Sequence, residues 1–179
     1  MADSLIEVHV EDADELLEGV ADRAANTEPL METLSAILLT GVQDNFRRQE
    51  GPGGDPWQKL AQRTKDERRK EGKWPGPILQ RDRVLLNSLQ AFNEKDVAGV
   101  STNVPYAAAH NFGVDDVVQV SAHTRTITQV FGQPLEEPQE VEVSAHKRHM
   151  QIQQREFMYA SENTRTDLRS QTKRWLRPE

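Results

Sequence analysis

Residues 27–46 read TEPLMETLSAILLTGVQDNF, and this stretch decides the fold. Leu30, Met31, Leu34, Ile37, Leu38, Val42 and Phe46 recur at steps of three and four, the spacing that gathers side chains on one face of an α-helix. Asn26 or Thr27 can cap this helix, and Pro29 suits its first turn. Gly51-Pro52-Gly53-Gly54-Asp55-Pro56 stops it. Upstream, Leu5 to Val10 alternates like a short strand, and Asp12 caps a short amphipathic helix carrying Leu16, Leu17, Val20 and Ala24. Downstream, residues 57–73 are polar, with a helix around 64–71. Pro75-Gly76-Pro77 breaks the chain, and the spacing of Leu79, Val84, Leu85, Leu86 and Leu89 predicts a further helix from Ile78 to Phe92.

The second half changes period. Asp96 to Ser101 reads as a strand, and Pro105 to Asn111 as a short helix or turn ending at Phe112-Gly113. Residues 117–131 and 139–153 alternate apolar and polar on either side of a loop at 132–138, the pattern of a long β-hairpin. Val120-Ser121-Ala122-His123-Thr124-Arg125 recurs as Val143-Ser144-Ala145-His146-Lys147-Arg148, once in each arm. With the loop centred near residues 135–136, His123 lies opposite Arg148 and His146 opposite Arg125, on one polar face with a pseudo-two-fold. A slip of one residue would exchange the faces. Glu136 and Glu137 then mark an acidic tip, and residues 161–176 form a last helix anchored by Leu168, Trp175 and Leu176.

The expected fold class is α+β: a small antiparallel sheet packed with the long amphipathic helix. A single domain over 1–179 would carry a protruding β-hairpin arm at 114–155 and a C-terminal helix at 160–179. The length of 179 residues suits one domain with an appendage. Counting glycine in and tyrosine out, apolar residues make up about 40% of the chain, below the usual 45–50%. A chain so lean gains from burying surface against neighbouring subunits. No cysteine is present, which excludes disulfides, thiolate metal sites and a Cys nucleophile. The longest strongly apolar run, Ala36–Leu39, is too short to cross a bilayer, and no signal peptide precedes it, so a soluble, unprocessed chain without a membrane partner is expected.

The net charge of −7 is unevenly spread. Residues 1–50 hold twelve acids against three arginines, 57–83 hold nine Lys/Arg against four acids, and 144–179 hold eight against four. A chain divided this way can bind copies of itself, acidic part to basic part, or bind nucleic acid through its basic segments.

Candidate chemistries are few. His146-Lys147-Arg148-His149 resembles a ligand pair, but residues three apart on a strand point to opposite faces, cationic neighbours repel a metal, and no acid stands at ligand spacing. There is no Gly-x-Ser-x-Gly elbow, no phosphate-binding Gly-x-x-x-x-Gly-Lys and no dinucleotide fingerprint. The expectation is therefore no enzyme, no cofactor and no metal. The basic stretch 57–83, flanked by Trp57 and Trp74, supports an alternative as a nucleic-acid-binding or packaging-associated factor. Against it, Asp66, Glu67 and Glu71 interleave with the bases.

One ordered set of motifs carries a resemblance. It runs from Phe46 through Pro52-x-Gly54-x-x-Trp57-x-x-Leu60-x-x-x-Thr64 to Ile78-Leu79 with Leu85 and Ser88. It ends in Val100-x-Thr102-Asn103-x-x-Tyr106-Ala107-x-x-His110-x-Phe112-Gly113 and Arg155-Glu156-Phe157-Met158. The chain resembles the virion morphogenesis (tail-completion) family of Mu-like tailed phages over about residues 5–170. Two departures stand out. The family's glycine of a Thr-Gly-x-Leu stretch is missing at Arg81-Asp82-Arg83, which should straighten the helix start, and Glu156 replaces a proline. The resemblance implies a structural virion protein of the phage neck, similar to tail-terminator and head–tail joining subunits. Such a subunit forms a homo-oligomeric ring, expected to be hexameric, around the DNA channel. Its implied partners are other neck, connector and tail-tube proteins, with DNA passing without specific binding, in the virion and, during assembly, the host cytoplasm. The residues carried over as family motif are Trp57, Thr64, Asn103, Tyr106, His110, Phe112 and Gly113. Trp57 is expected to plug the gap between the long helix and the sheet, and Tyr106, His110 and Phe112 to supply core packing and a hydrogen-bonded turn and not a binding site. His123, Arg125, His146, Arg148, Glu136 and Glu137 are the candidate interface.

Overall fold

The long helix organises everything around it. The computed structural model describes residues 11–130 and 133–177; the strand expected at 5–10 lies outside them. The elements are α1 (Glu11–Ala25), α2 (Glu28–Arg48), α3 (Gln62–Lys70), α4 (Val84–Asn87), β1 (Gln90–Glu94), β2 (Val97–Ser101), α5 (Ala107–Phe112), β3 (Val114–Val120), β4 (His123–Val130), β5 (Gln133–Val143), β6 (His146–Ile152) and α6 (Glu162–Leu176). The class is α+β.

The core gathers at the C-terminal half of α2. Val42 and Phe46 pack with Trp57, Leu85, Leu89, Ala107 and Phe157. Phe46 sits between two aromatic rings, edge-on to Trp57 at 5.8 Å between centroids and 5.0 Å from Phe157. In the middle of α2 the stripe is shallower: Leu34, Ile37 and Leu38 are half-buried, while Ser35, Gly41 and, in the first turn, Leu30 are buried. Gly41 is where α6 crosses. A Cβ there would lie 2.4 Å from the Thr164 hydroxyl oxygen, so only glycine lets the two helices approach this closely. Thr27 stands at the N-cap of α2 but does not cap it, because its hydroxyl donates instead to Asp96 at 2.5 Å.

The helix expected over Ile78–Phe92 is a single turn, α4, followed by strand β1. Leu79 and Arg83 take left-handed φ values of 59° and 56°, which interrupts any helix before Val84. Leu85 and Leu89 still reach the core, so the apolar spacing is real. Residues 90–94 instead pair antiparallel with β2, Phe92 opposite Gly99, and this hairpin lies along α2. Strand pairing overrides helical spacing here. At Arg81-Asp82-Arg83 the backbone is not straightened, because Arg83 adopts the left-handed conformation that glycine favours.

The remaining strands pair only with one another, β3 with β6 and β4 with β5, and project as a two-stranded ribbon. α6 is capped by Ser161, whose Oγ accepts from the Thr164 N–H, and it packs on α2 and α1. Among the described residues no helix is long and apolar enough to cross a membrane.

Candidate functional site

The ribbon is longer and more exposed than anything else in the fold. Residues 114–130 run out and 133–152 return. At ~3.3 Å per residue the outward strand spans about 55 Å. Val117, Val118, Val130 and Val141 are all exposed on it.

Its register differs from the expectation. His123 faces Val143 and Arg125 faces Val141, while His146 faces Val120 and Arg148 faces Val118. Pairing of Val130 with Gln133 leaves only residues 131–132 between β4 and β5. The chain has thus already reversed by Gln133, before the expected loop centre at 135–136. The shift is odd, so the faces exchange: each His–Arg pair lies opposite valines, and the four side chains do not meet. Glu136 and Glu137 are not at the tip but within β5. There the pairing jumps from Ile127–Gln139 to Gln129–Pro134, leaving both acids in an irregular bulge and exposed.

The repeat nevertheless makes a local dyad. Continued through the gap between ladders, the pairing sets Ser121-Ala122 against Ala145-Ser144, so the two Val-Ser-Ala-His copies lie antiparallel to each other. His123 Nδ1 lies 3.0 Å from the Ser121 carbonyl oxygen and His146 Nδ1 lies 2.9 Å from that of Ser144. Each histidine occupies a carbonyl with its own side chain, competing with the ladder, and both strands lose regular structure at 121–122 and 144–145. His149 does not join His146 but meets Asp115 across the ladder at 2.6 Å, an acid that spacing along one strand does not reveal. Among the described residues no group of three His, Asp or Glu is placed to hold a metal.

The ribbon is rooted by residues 155–159. Asn111, buried in α5, accepts the N–H groups of Phe157 and Met158, both at 3.0 Å. Asn45, buried in α2, donates to the carbonyls of Phe157 and Tyr159, both at 2.9 Å. The Trp57 indole N–H donates to the Glu156 carbonyl at 3.0 Å, and the Arg155 N–H to the His110 carbonyl at 2.7 Å. The Tyr159 hydroxyl reaches the carbonyls of Glu50 and Gly51, and burial pushes its pKa up. Gly113 opens β3 with φ 76° and ψ 167°, a conformation for glycine alone, and a Cβ there would lie 3.2 Å from Gln154 N and Ile152 O. Asn45 and Asn111 escaped sequence reading because a polar residue on an apolar helix face gives no sign of which backbone it will bind.

Beside the root lies an open cleft of about 640 Å³ between residues 58–64, 79–85, 106–110 and 151–155. Thr64, Tyr106 and His110 line it, and Trp57 stands in the core behind. Asn103 is exposed outside it. Tyr106 and Phe112 are not core residues: Tyr106 is exposed at the cleft, edge-on to the His110 ring at 5.8 Å, and Phe112 is 73% exposed. α5 is too short to bury two faces, and Ala107 and Asn111 take the inner one. His110 is half-buried with an unpartnered Nδ1; burial, then the Arg155 charge, holds its pKa below the usual value. Arg68 and Arg155 are buried in the cleft wall. The guanidinium of Arg68 donates to the carbonyls of Gly76 and Pro77, and that of Arg155 to Gln58. Burial lowers both pKa values, and the two charges oppose each other.

The chain belongs to the phage virion morphogenesis family, whose model matches residues 8–177. It is similar to the Mu-like prophage FluMu G protein 2 of Haemophilus influenzae, with 31% identity over 113 residues covering 61% of this chain and 71% of that protein. No solved structure matches it. Its role is thus in phage virion structure or morphogenesis.

Proposed function

We propose that the chain is a neck subunit that completes the tail and joins it to the DNA-filled head, as part of a ring around the DNA channel. The observation that carries this reading is the ribbon. Two-stranded ladders are marginal alone, and this one exposes both faces over its whole length. Its use is to be covered by a neighbouring subunit or an adjoining ring. The lean composition and the opposed charge segments fit subunits packed head to tail, a contact that closes into a ring when the rotation allows. Some of the chain's acidic surface would line the channel, repel phosphate and let DNA pass without sticking.

The nucleic-acid reading draws less support, because its basic stretch is largely engaged internally. Arg63 pairs with Glu67 at 3.0 Å and Arg69 with Asp66 at 2.5 Å. Lys65 and Arg69 lie over the Trp74 ring, and Arg68 is buried.

Arg125 and Arg148, one in each ladder, test the ribbon's role. Arg125→Ala with Arg148→Ala is expected to leave the isolated chain folded while infectious particles fail to form, with full heads and unattached or overlong tails accumulating in micrographs. Normal tails and full infectivity from the double variant would refute it.

A further inference from the structure

The cleft beside the ribbon root holds more positive charge than its own chain balances. Arg68 and Arg155 are only 3% and 8% exposed, and their hydrogen bonds go to main-chain carbonyls alone. Neither lies within ion-pair distance of a carboxylate among the described residues, and Arg68 Nε has no partner at all. Asp82 and Glu71 act on Arg68 only from beyond ion-pair distance, and two buried guanidiniums that repel each other are costly. At the rim, Lys59 and Arg83 are exposed and form no ion pair among the described residues. The one acid lining the cleft, Asp82, is already held by Lys73 and Arg81. Next to these charges Val84 is 54% exposed and Tyr106 45%. The matching ligand is an anionic segment with apolar side chains of its own.

The chain carries such a segment. α1 holds six acids against the single Arg23. Leu16 and Leu17 stand out from it at 56% and 62% exposure, among exposed Asp14, Glu15 and Glu18. In its own molecule α1 is held on α6, where Arg23 donates to the Leu176 carbonyl at 3.0 Å, and none of its residues lines the cleft. We propose that the basic cleft of one copy receives the acidic α1 of the next, with Leu16 and Leu17 against Val84 and Tyr106 and the carboxylates over Lys59, Arg83 and the buried arginines. This rests on the ring reading above and names its subunit contact. Two different surfaces of the same chain are joined, so the contact repeats from copy to copy. Exposed leucines favour a protein helix over a nucleic-acid backbone as the occupant, since phosphates offer nothing to cover apolar side chains.

Charge reversal on the full chain tests this. Glu15→Lys with Glu18→Lys on α1, or Lys59→Glu with Arg83→Glu on the cleft, changes only exposed residues. Each variant alone is expected to weaken self-association in sedimentation velocity by about tenfold or more at moderate salt. Mixing the two restores it, because each variant's α1 then matches the other's cleft. As the chain has no cysteine, Leu16→Cys mixed with Val84→Cys should give a disulfide-linked pair that neither gives alone. If both reversal variants associate like the unaltered chain and no cross-link forms, the α1–cleft contact is overturned and the ring reading stands. If the unaltered chain does not associate at any concentration and the Leu16→Cys and Val84→Cys chains do not cross-link, both fall. Salt-sensitive binding of a DNA duplex that the Lys59→Glu/Arg83→Glu chain loses, with its self-association unchanged, would assign the cleft to nucleic acid instead.

Discussion

His110 links the domain to the ribbon through one carbonyl and carries an unpartnered ring nitrogen indoors. Burial, reinforced by Arg155, favours its neutral form in the folded chain. The unfolded chain, with an ordinary histidine pKa near ~6.5, then binds the proton more readily. Stability from this group is complete above that pH and is lost as pH falls through ~6.5 toward the lower folded value. Urea titrations at a series of pH values should show the native chain losing stability below about pH 6.5 relative to His110→Gln. Parallel profiles would remove the histidine from the account. Gly113 makes a second residue-scale case. Gly113→Ala forces a Cβ into a backbone conformation open only to glycine and against the Gln154 N–H. The expected loss is about 1–3 kcal/mol in equilibrium unfolding.

At the scale of elements, α2 is deep around Phe46, shallow around Ile37, and buried again at Leu30 in its first turn. Phe46→Ala should cost ~3–5 kcal/mol because it opens a cavity between Trp57 and Phe157. Ile37→Ala should cost clearly less, and equal losses by chemical denaturation would contradict the burial gradient. The helix itself was legible because its apolar spacing and its Gly/Pro stop agree. The 78–92 segment was not, because Leu85 and Leu89 reach the same core whether the chain between and after them is helix or strand. What decides is the partner strand β2, which begins 49 residues after the end of the helix it lies along. The ribbon was legible as alternation but not in register, since almost no face of it is buried and burial is what specifies register. The cleft was invisible for a related reason: Arg68 and Arg155 read as surface charges in a polar stretch, and only the chain's return path buries them.

On the scale of the whole molecule, domain and ribbon share little beyond the root at 155–159. The ribbon's strands contact each other and contribute no residue to the main core. Replacing residues 115–151 with a short Gly-Ser link between the paired Val114 and Ile152 should therefore leave the domain's melting temperature within a few degrees of the full chain. A collapse of the melting transition would mean that the ribbon belongs to the core. Both strands lose their regular pairing at one level, between Val120 and His123 and between Val143 and His146. Mechanically that is a beam notched on both edges at the same height. A sideways load on the outer half turns into rotation at the notch before it reaches the anchored base.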